Sequence, residues 1–331
     1  MGKQLVWFKG ITVLIIVLLF AGFALAAEFP NKPIECLVSF GIGSPVTIST
    51  RFVADAMSKQ LGQPILLIPA LGGGGIVGAY KAARAKPDGY TLYLVNSTSN
   101  GNIFYVKKDV PYNNSDFEFL AKFFDYDLGL FVKPNSPIRT IEDYIEYARK
   151  NPFAIKQATY GNGTSPHVVA ELLKIEAGGL KIDMVPFKTV PEFSSALIGG
   201  HIDAAFHLGG AGGTADEFRR ALDAGAKLLG VASKQRLKAY PDVPTFVEKG
   251  LNVVYSAWYG MGAPKGMSKE ISQKLKEVIY KVMKDPQTIN GIQSLGGIKY
   301  DFRTSEEFTS FIEEYNKLSK RVIETAKIPK E

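Results

Sequence analysis

The sequence predicts an α/β protein of two lobes, each a mostly parallel sheet flanked by helices. Three observations carry this expectation. Short apolar runs alternate with amphipathic segments from residue 34 nearly to the end, as βαβ units require. The stretch from Leu61 to Val95 holds one such unit entire: the apolar run PILLIPAL, the glycine turn Gly72 to Gly75, the helically spaced IVGAYKAARA and the strand TLYLV. Two Pro-rich segments, LFVKPNSPIRT at 130–140 and YPDVPT at 240–245, offer places where the chain can cross between lobes.

Taken in order, the chain opens with MGKQLVWFKG, which carries Lys3 and Lys9, followed by the apolar run ITVLIIVLLFAGFALA. Ala24-Leu25-Ala26 supplies a small-x-small exit, so residues 1–26 read as a secretory signal peptide and the mature chain starts near Ala27. An uncleaved anchor is the competing reading, because the run approaches bilayer-spanning length. Strands are expected at 34–40, 64–69, 91–95, 128–133, 157–160, 182–187, 202–206 and 227–232, where β-branched and aromatic runs sit between turn residues. Helices are expected at 47–61, 75–85, 140–150, 166–177, 191–199, 214–223, 268–284 and 304–326. Pro87-Asp88-Gly89 stops the second of these and turns the chain into TLYLV. The last shows its stripe in Phe308, Phe311, Ile312, Tyr315, Leu318 and Val322, and Thr304 with Glu307 forms a capping box.

Composition narrows the function. The formal charge is +7, and loss of Lys3 and Lys9 with the signal lowers it by 2 to +5, scattered among acidic residues with no basic arm, which argues against nucleic acid as a partner. One cysteine, Cys36, leaves an exported chain without an internal disulfide, so ordinary cores must supply the stability. His167, His201 and His207 form no metal motif, and no nucleophile elbow is present. No catalytic residue, metal or cofactor is expected, which shifts weight from enzyme to binding protein.

Besides the glycine turn, four places can meet a ligand. In SFGIGSPVTISTR the first strand breaks at Gly41 and Gly43, and a helix begins near Thr47 with Ser44 or Thr47 as cap; free N–H groups at such a start attract an anion, although a plain strand-to-helix loop reads the same way. YGNGTSPHVVAEL repeats the arrangement, with Gly161 and Gly163 bringing backbone close, Thr164 or Ser165 capping, and His167 in the first turn as either a contact or a structural residue. Asn96, Ser97 and Thr98 place hydrogen-bonding side chains in a row after TLYLV, as a turn also would. Asp203 and His207 stand four apart in a segment that reads as a strand, which separates them. The glycine turn also fits G-x-G-x-x-G at Gly73, Gly75 and Gly78, but no acid follows TLYLV to hold a ribose, so Gly73 and Gly74 are expected to face a smaller ligand.

Several blocks in order resemble the substrate-binding proteins of tripartite tricarboxylate transporters, the Bug or TctC type: FPNKPIECLVSFGIG, LGQPILLIPALGGGGIVGA, KPDGYTLYLVNS, VPYNNSDFEFLAKF, the segment from Tyr160 to Leu172, VPFKTVPEFSSALIGGHIDAAF, YPDVPTFVEKG and AWYGMGAP. The resemblance implies a periplasmic-binding-protein-like clamp with lobe 1 at 27–128 and 252–331 and lobe 2 at 129–251. It implies a periplasmic receptor that closes on a small carboxylate and passes it to integral membrane transporter subunits, acting as a monomer. The loops that hold the carboxylate in such receptors match Phe40 to Thr47 and Gly161 to His167, and Phe187 joins the candidate contacts. Thr47 stands where many relatives carry an aspartate, which some of them use to meet a ligand ammonium group. The chain is therefore expected to favour di-, tri- or aromatic carboxylates over acidic amino acids. The alternative is an exported enzyme or sensor subunit in which His167, Asp203 or His207 moves a proton.

Overall fold

The computed structural model describes residues 28–187, 190–208, 217–294 and 298–331; the expected signal peptide and part of the loop after β-strand residue 208 lie outside them. In chain order the elements are β1 (Ile34–Val38), α1 (Pro45–Leu61), β2 (Ile65–Pro69), α2 (Ile76–Ala83), β3 (Thr91–Asn96), α3 (Ile103–Val106) and the long β4 (Phe117–Val132). Then follow α4 (Ile141–Lys150), β5 (Lys156–Thr159), α5 (Ser165–Glu176), β6 (Asp183–Pro186), α6 (Val190–Ile198), β7 (Ala204–Leu208), α7 (Glu217–Asp223) and β8 (Lys227–Val231). The chain closes with β9 (Ser256–Pro264), α8 (Lys269–Lys284), α9 (Pro286–Gln293), β10 (Ile298–Arg303) and α10 (Ser305–Thr325).

The sheets are mixed where mostly parallel ones were expected. Parallel pairing holds in the outer strands, β2–β1–β3 on one side and β6–β5–β7 on the other. Between them β4 runs antiparallel to every neighbour, beside β9 and β10 along its first part and beside β7 and β8 along its last. Its partners change between Asp127, opposite Ser256, and Leu128, opposite Leu208. A single strand thus belongs to both sheets, and side chains on both of its faces are buried.

Burial on both faces explains the packing around β4. Phe123, Phe124, Tyr126, Leu128, Leu130 and Phe131 are all at most 1% exposed. On the neighbouring strand, Gly260 and Gly262 leave no room for a side chain: a Cβ on Gly260 would lie 2.4 Å from the Ala121 carbonyl oxygen and 2.5 Å from the Phe308 ring. That close approach lets α10 lay Phe308, Phe311 and Tyr315 edge-on around Trp258. The capping box expected at Thr304 and Glu307 starts α10 as read from the sequence.

Candidate functional site

The two glycine loops come from the same local device. In each lobe a parallel strand, β1 or β5, ends in a hydroxyl residue and an aromatic ring, Ser39-Phe40 or Thr159-Tyr160, before the chain turns through glycines into a helix with proline in its first turn. Ser44 caps α1, its hydroxyl accepting the Thr47 N–H at 3.2 Å, and Pro45 fills the first helical position where no N–H is needed. The hydroxyls of Ser44 and Thr47 lie 3.0 Å apart and Thr47 is fully buried, so Thr47 is turned into the protein and serves the cap.

In the first loop the exposed N–H groups of Gly41, Ile42 and Gly43 have no acceptor among the described residues. A Cβ on Gly41 or Gly43 would meet nothing within 4 Å, so this backbone faces open space. Donors arranged this way at the start of a 17-residue helix suit an anionic oxygen. Phe40 packs behind them, edge-on to Tyr259 at 5.6 Å, and Tyr259 meets Tyr126 at 5.8 Å.

The second loop spends more of its donors internally. The Gly161 N–H goes to the Thr159 hydroxyl at 3.2 Å, Thr164 N–H to the Gly161 carbonyl at 3.3 Å, and Gly163 N–H to His167 Nδ1 at 3.2 Å. The Thr164 hydroxyl donates to the Gly161 carbonyl at 2.8 Å. The N–H of Asn162 is left without a partner among the described residues, and a Cβ on Gly161 would meet nothing within 4 Å. The Tyr160 hydroxyl is buried and unpaired among the described residues. Burial, then the nearby Tyr259, push its pKa far above the usual phenol value, so it is a neutral donor.

The second loop touches the turn that follows β3. Ser97 Oγ lies 3.0 Å from Ser165 Oγ, both residues being at most 4% exposed. Ser165 also reaches the Tyr255 hydroxyl, which joins Asn102, Tyr315 and Ser319 in a buried network. Asn96 and Thr98, by contrast, build the turn: Asn96 Oδ1 accepts the N–H groups of Thr98 and Ser99 at 3.1 and 3.0 Å, and Thr98 lies against Gly74. Gly73 and Gly74 take positive φ, at 58° and 65°, to form a short turn in front of α2. Gly78 lets α2 close on β1, since a Cβ there would lie 2.9 Å from Ser39 Oγ.

Phe187 and His207 gather around Phe193, at 6.3 and 5.5 Å, on the same side as Tyr160, which meets Phe193 at 4.9 Å. Asp203 stands elsewhere. Its carboxylate accepts the Lys156 N–H at 2.9 Å and pairs with Lys133 at 2.7 Å, at the start of β5, whereas the loop follows the end of that strand about 10 Å on. Sequence reasoning overlooked Tyr126, Tyr160 and Tyr259, although the aromatic run in AWYGMGAP was the available signal for the last. Among the described residues no cluster of potential metal ligands is present. A shallow groove lined by Leu120, Lys276, Tyr280, Phe302 and Ser305 shares no residue with either loop.

Two α/β sheets on a shared strand, each with a glycine-turned helix start, define the fold of a periplasmic binding protein. The chain belongs to the tripartite tricarboxylate transporter family receptors, whose family model matches residues 49–328. It is 30% identical over 308 residues to the UPF0065 protein in the gbd 5' region of Cupriavidus necator, covering 91% of this chain and 89% of that one. The solved structure of a periplasmic transporter is 28% identical with a TM-score of 0.81, covering 92% of this chain and 100% of the other. MatC from Rhodopseudomonas palustris, solved with bound malate, is 24% identical with a TM-score of 0.77, covering 89% of this chain and 100% of the other, and shares the fold. No described helix is long and apolar enough to cross a membrane.

Proposed function

We propose that this protein is a periplasmic receptor that closes its two lobes over a small di-, tri- or aromatic carboxylate and delivers it, chemically unchanged, to the membrane subunits of a tripartite carrier. The observation that carries the reading is the row of exposed, unpaired N–H groups at Gly41, Ile42 and Gly43, behind which Phe40 meets Tyr259, the ring that also acts on the Tyr160 hydroxyl at the head of the second loop. A carboxylate entering there exchanges water for fixed donors in a site that closure dries, which strengthens each charge-assisted bond. Membership in a receptor family supports the absence of turnover, and malate in MatC supports the ligand class.

The lobes are assigned as 27–128 with 252–331, and 129–251. The partner change of β4 between Asp127 and Leu128 supports the first limit. The site is assigned to Phe40–Ser44 and Gly161–Ser165 with Tyr160, Phe187 and His207 as walls. A signal peptide removed near Ala26 delivers the mature chain as a monomer.

Thermal unfolding of the mature protein with malate, citrate, glutamate, nicotinate, a sugar and arginine tests this reading. Saturation at about 100 times the dissociation constant adds about 2.7 kcal/mol and raises Tm by a few degrees. A malate, citrate or nicotinate response supports it, with the ligand recovered unchanged. A response confined to the sugar or arginine sinks it.

A further inference from the structure

We propose that His167 is a positioning residue: its Nδ1 holds the Gly163 N–H, fixes the 161–165 loop in the shape that serves the site, and lets the loop go when the ring is protonated. This rests on the receptor reading for its purpose but not for its geometry. The Gly163 N–H points to Nδ1 at 3.2 Å. A backbone N–H only donates, so Nδ1 is the unprotonated nitrogen and the neutral ring carries its hydrogen on Nε2. Nε2 faces Glu171 Oε1 at 3.7 Å, and that same oxygen is bonded to Lys174 Nζ at 2.7 Å. The ring is 5% exposed and Glu171 7%, so water does not compete for these places.

Gly163 is held from the other side as well. Its φ is +77°, and a Cβ there would lie 2.4 Å from Val106 Cγ2 on α3, across the seam. Loop backbone is therefore pinched between Val106 and the imidazole. Of the next residues, Thr164 stands at the N-cap position of α5 and Ser165, the first helical residue, meets Ser97. Loss of the Nδ1 bond thus acts on the contact between this loop and the turn after β3.

The charged groups that act on the ring are Glu171 and Lys174 on α5, and Glu331, which is itself paired with Lys107 beyond α3. From α10, packed on α5, come the neutral hydroxyls of Tyr315 and Ser319, which reach Ser165 through Tyr255. Burial is the largest influence and, with Lys174, outweighs the two glutamates, holding the histidine below its ordinary value. At neutral pH the acceptor is present. In the acid range below the ordinary histidine value both nitrogens carry hydrogen and Gly163 loses its acceptor.

Long-range proton–nitrogen NMR of the ligand-free protein tests this. The expected result is an unprotonated Nδ1 at pH 7.5 and a Gly163 amide shift that follows the ring titration. In His167→Asn, which keeps an oxygen near the Nδ1 place, the amide should stay near its native position at every pH. In His167→Leu it should be displaced at every pH, and affinity for malate, citrate or nicotinate, whichever stabilises the wild type, should drop about tenfold, as loss of one hydrogen bond would give, with the Asn variant within about threefold. A proton on Nδ1 at pH 7.5, or a Gly163 amide indifferent to His167→Leu, overturns the proposal. An amide that behaves as expected in a protein that binds no carboxylate upholds the positioning role and rejects the receptor reading alone.

Discussion

Lys122 is fully buried in β4 with Asp125 at 2.5 Å and Asp301 at 2.6 Å, so two acids share one cation. Burial works against the charge on both. It pushes Asp125 up to about 6 despite Lys122, with Asp301 and Asp127 adding to the rise. Asp301 is less buried, and Lys122 and Arg303 overcome that burial to hold it at about 2. The signs differ accordingly. Asp301 binds its proton less readily when folded, so its stabilisation is present above about pH 4 and is lost as pH falls toward 2. Asp125 binds its proton more readily when folded, so a penalty grows as pH rises from about 4 to about 6. Asp301→Asn should therefore lower stability at pH 7 by about 2–3 kcal/mol, as loss of a partner to a buried cation does. Asp125→Asn should gain on the wild type as pH rises through that window, read by denaturant unfolding at pH 4 and pH 7; equal losses for both variants at pH 7 would contradict the assignment. Gly163→Ala, strained at φ +77° and set against Val106, should cost about 2–3 kcal/mol in the same assay.

At the scale of elements, β9 depends on two glycines that let it lie between β4 and α10. Gly260→Ala drives a Cβ into the Ala121 carbonyl and the Phe308 ring, and should destabilise by about 2–3 kcal/mol or more, whereas Gly250→Ala, strained only by its φ of +78°, should cost about 1 kcal/mol. Those glycines also explain what the sequence left hidden. The outer βαβ units were legible because their strands are continuous apolar runs closed by Gly or Pro. Only the end of β4 was legible, because Lys122, Asp125 and Asp127 interrupt the pattern; their compensation lies far along the chain in Asp301 and Ser256. No strand was expected at β10, where Asp301 and Arg303 break an apolar pattern, nor at β9, where Gly260 and Gly262 weaken one. The same limit applies at the site. Spacing pointed to both glycine loops and to Ser97, and it separated Asp203 from His207 along a strand, but it left Asp203 among the candidate contacts, since register alone shows which end of a strand a side chain occupies.

For the whole molecule, β4 and the segment leading into β9 link two sheets that also meet where Ser97 and Val106 touch the 161–165 loop, where Asn162 bonds Glu331 and where α10 packs on α5. Ser97 and Ser165 mark that seam with hydroxyls 3.0 Å apart. Replacing both by cysteine should form a cross-link on oxidation that holds the lobes together, slowing ligand exchange at least about tenfold in stopped-flow measurements, with reduction restoring it. Cys36 will not interfere, because it is buried and burial pushes its thiol up to about 12. Unaltered exchange in the oxidised variant would mean that the lobes do not part at this seam. The central claim is met most directly by a crystal structure of the mature protein with whichever of malate, citrate or nicotinate raises its Tm most. A carboxylate oxygen within hydrogen-bond reach of the Gly41–Gly43 N–H groups, with the ligand's other end toward Tyr160 and the 161–165 loop, is the result the account predicts. A ligand seated at Asp203 or in the groove beside Tyr280, with both loops empty, would contradict it.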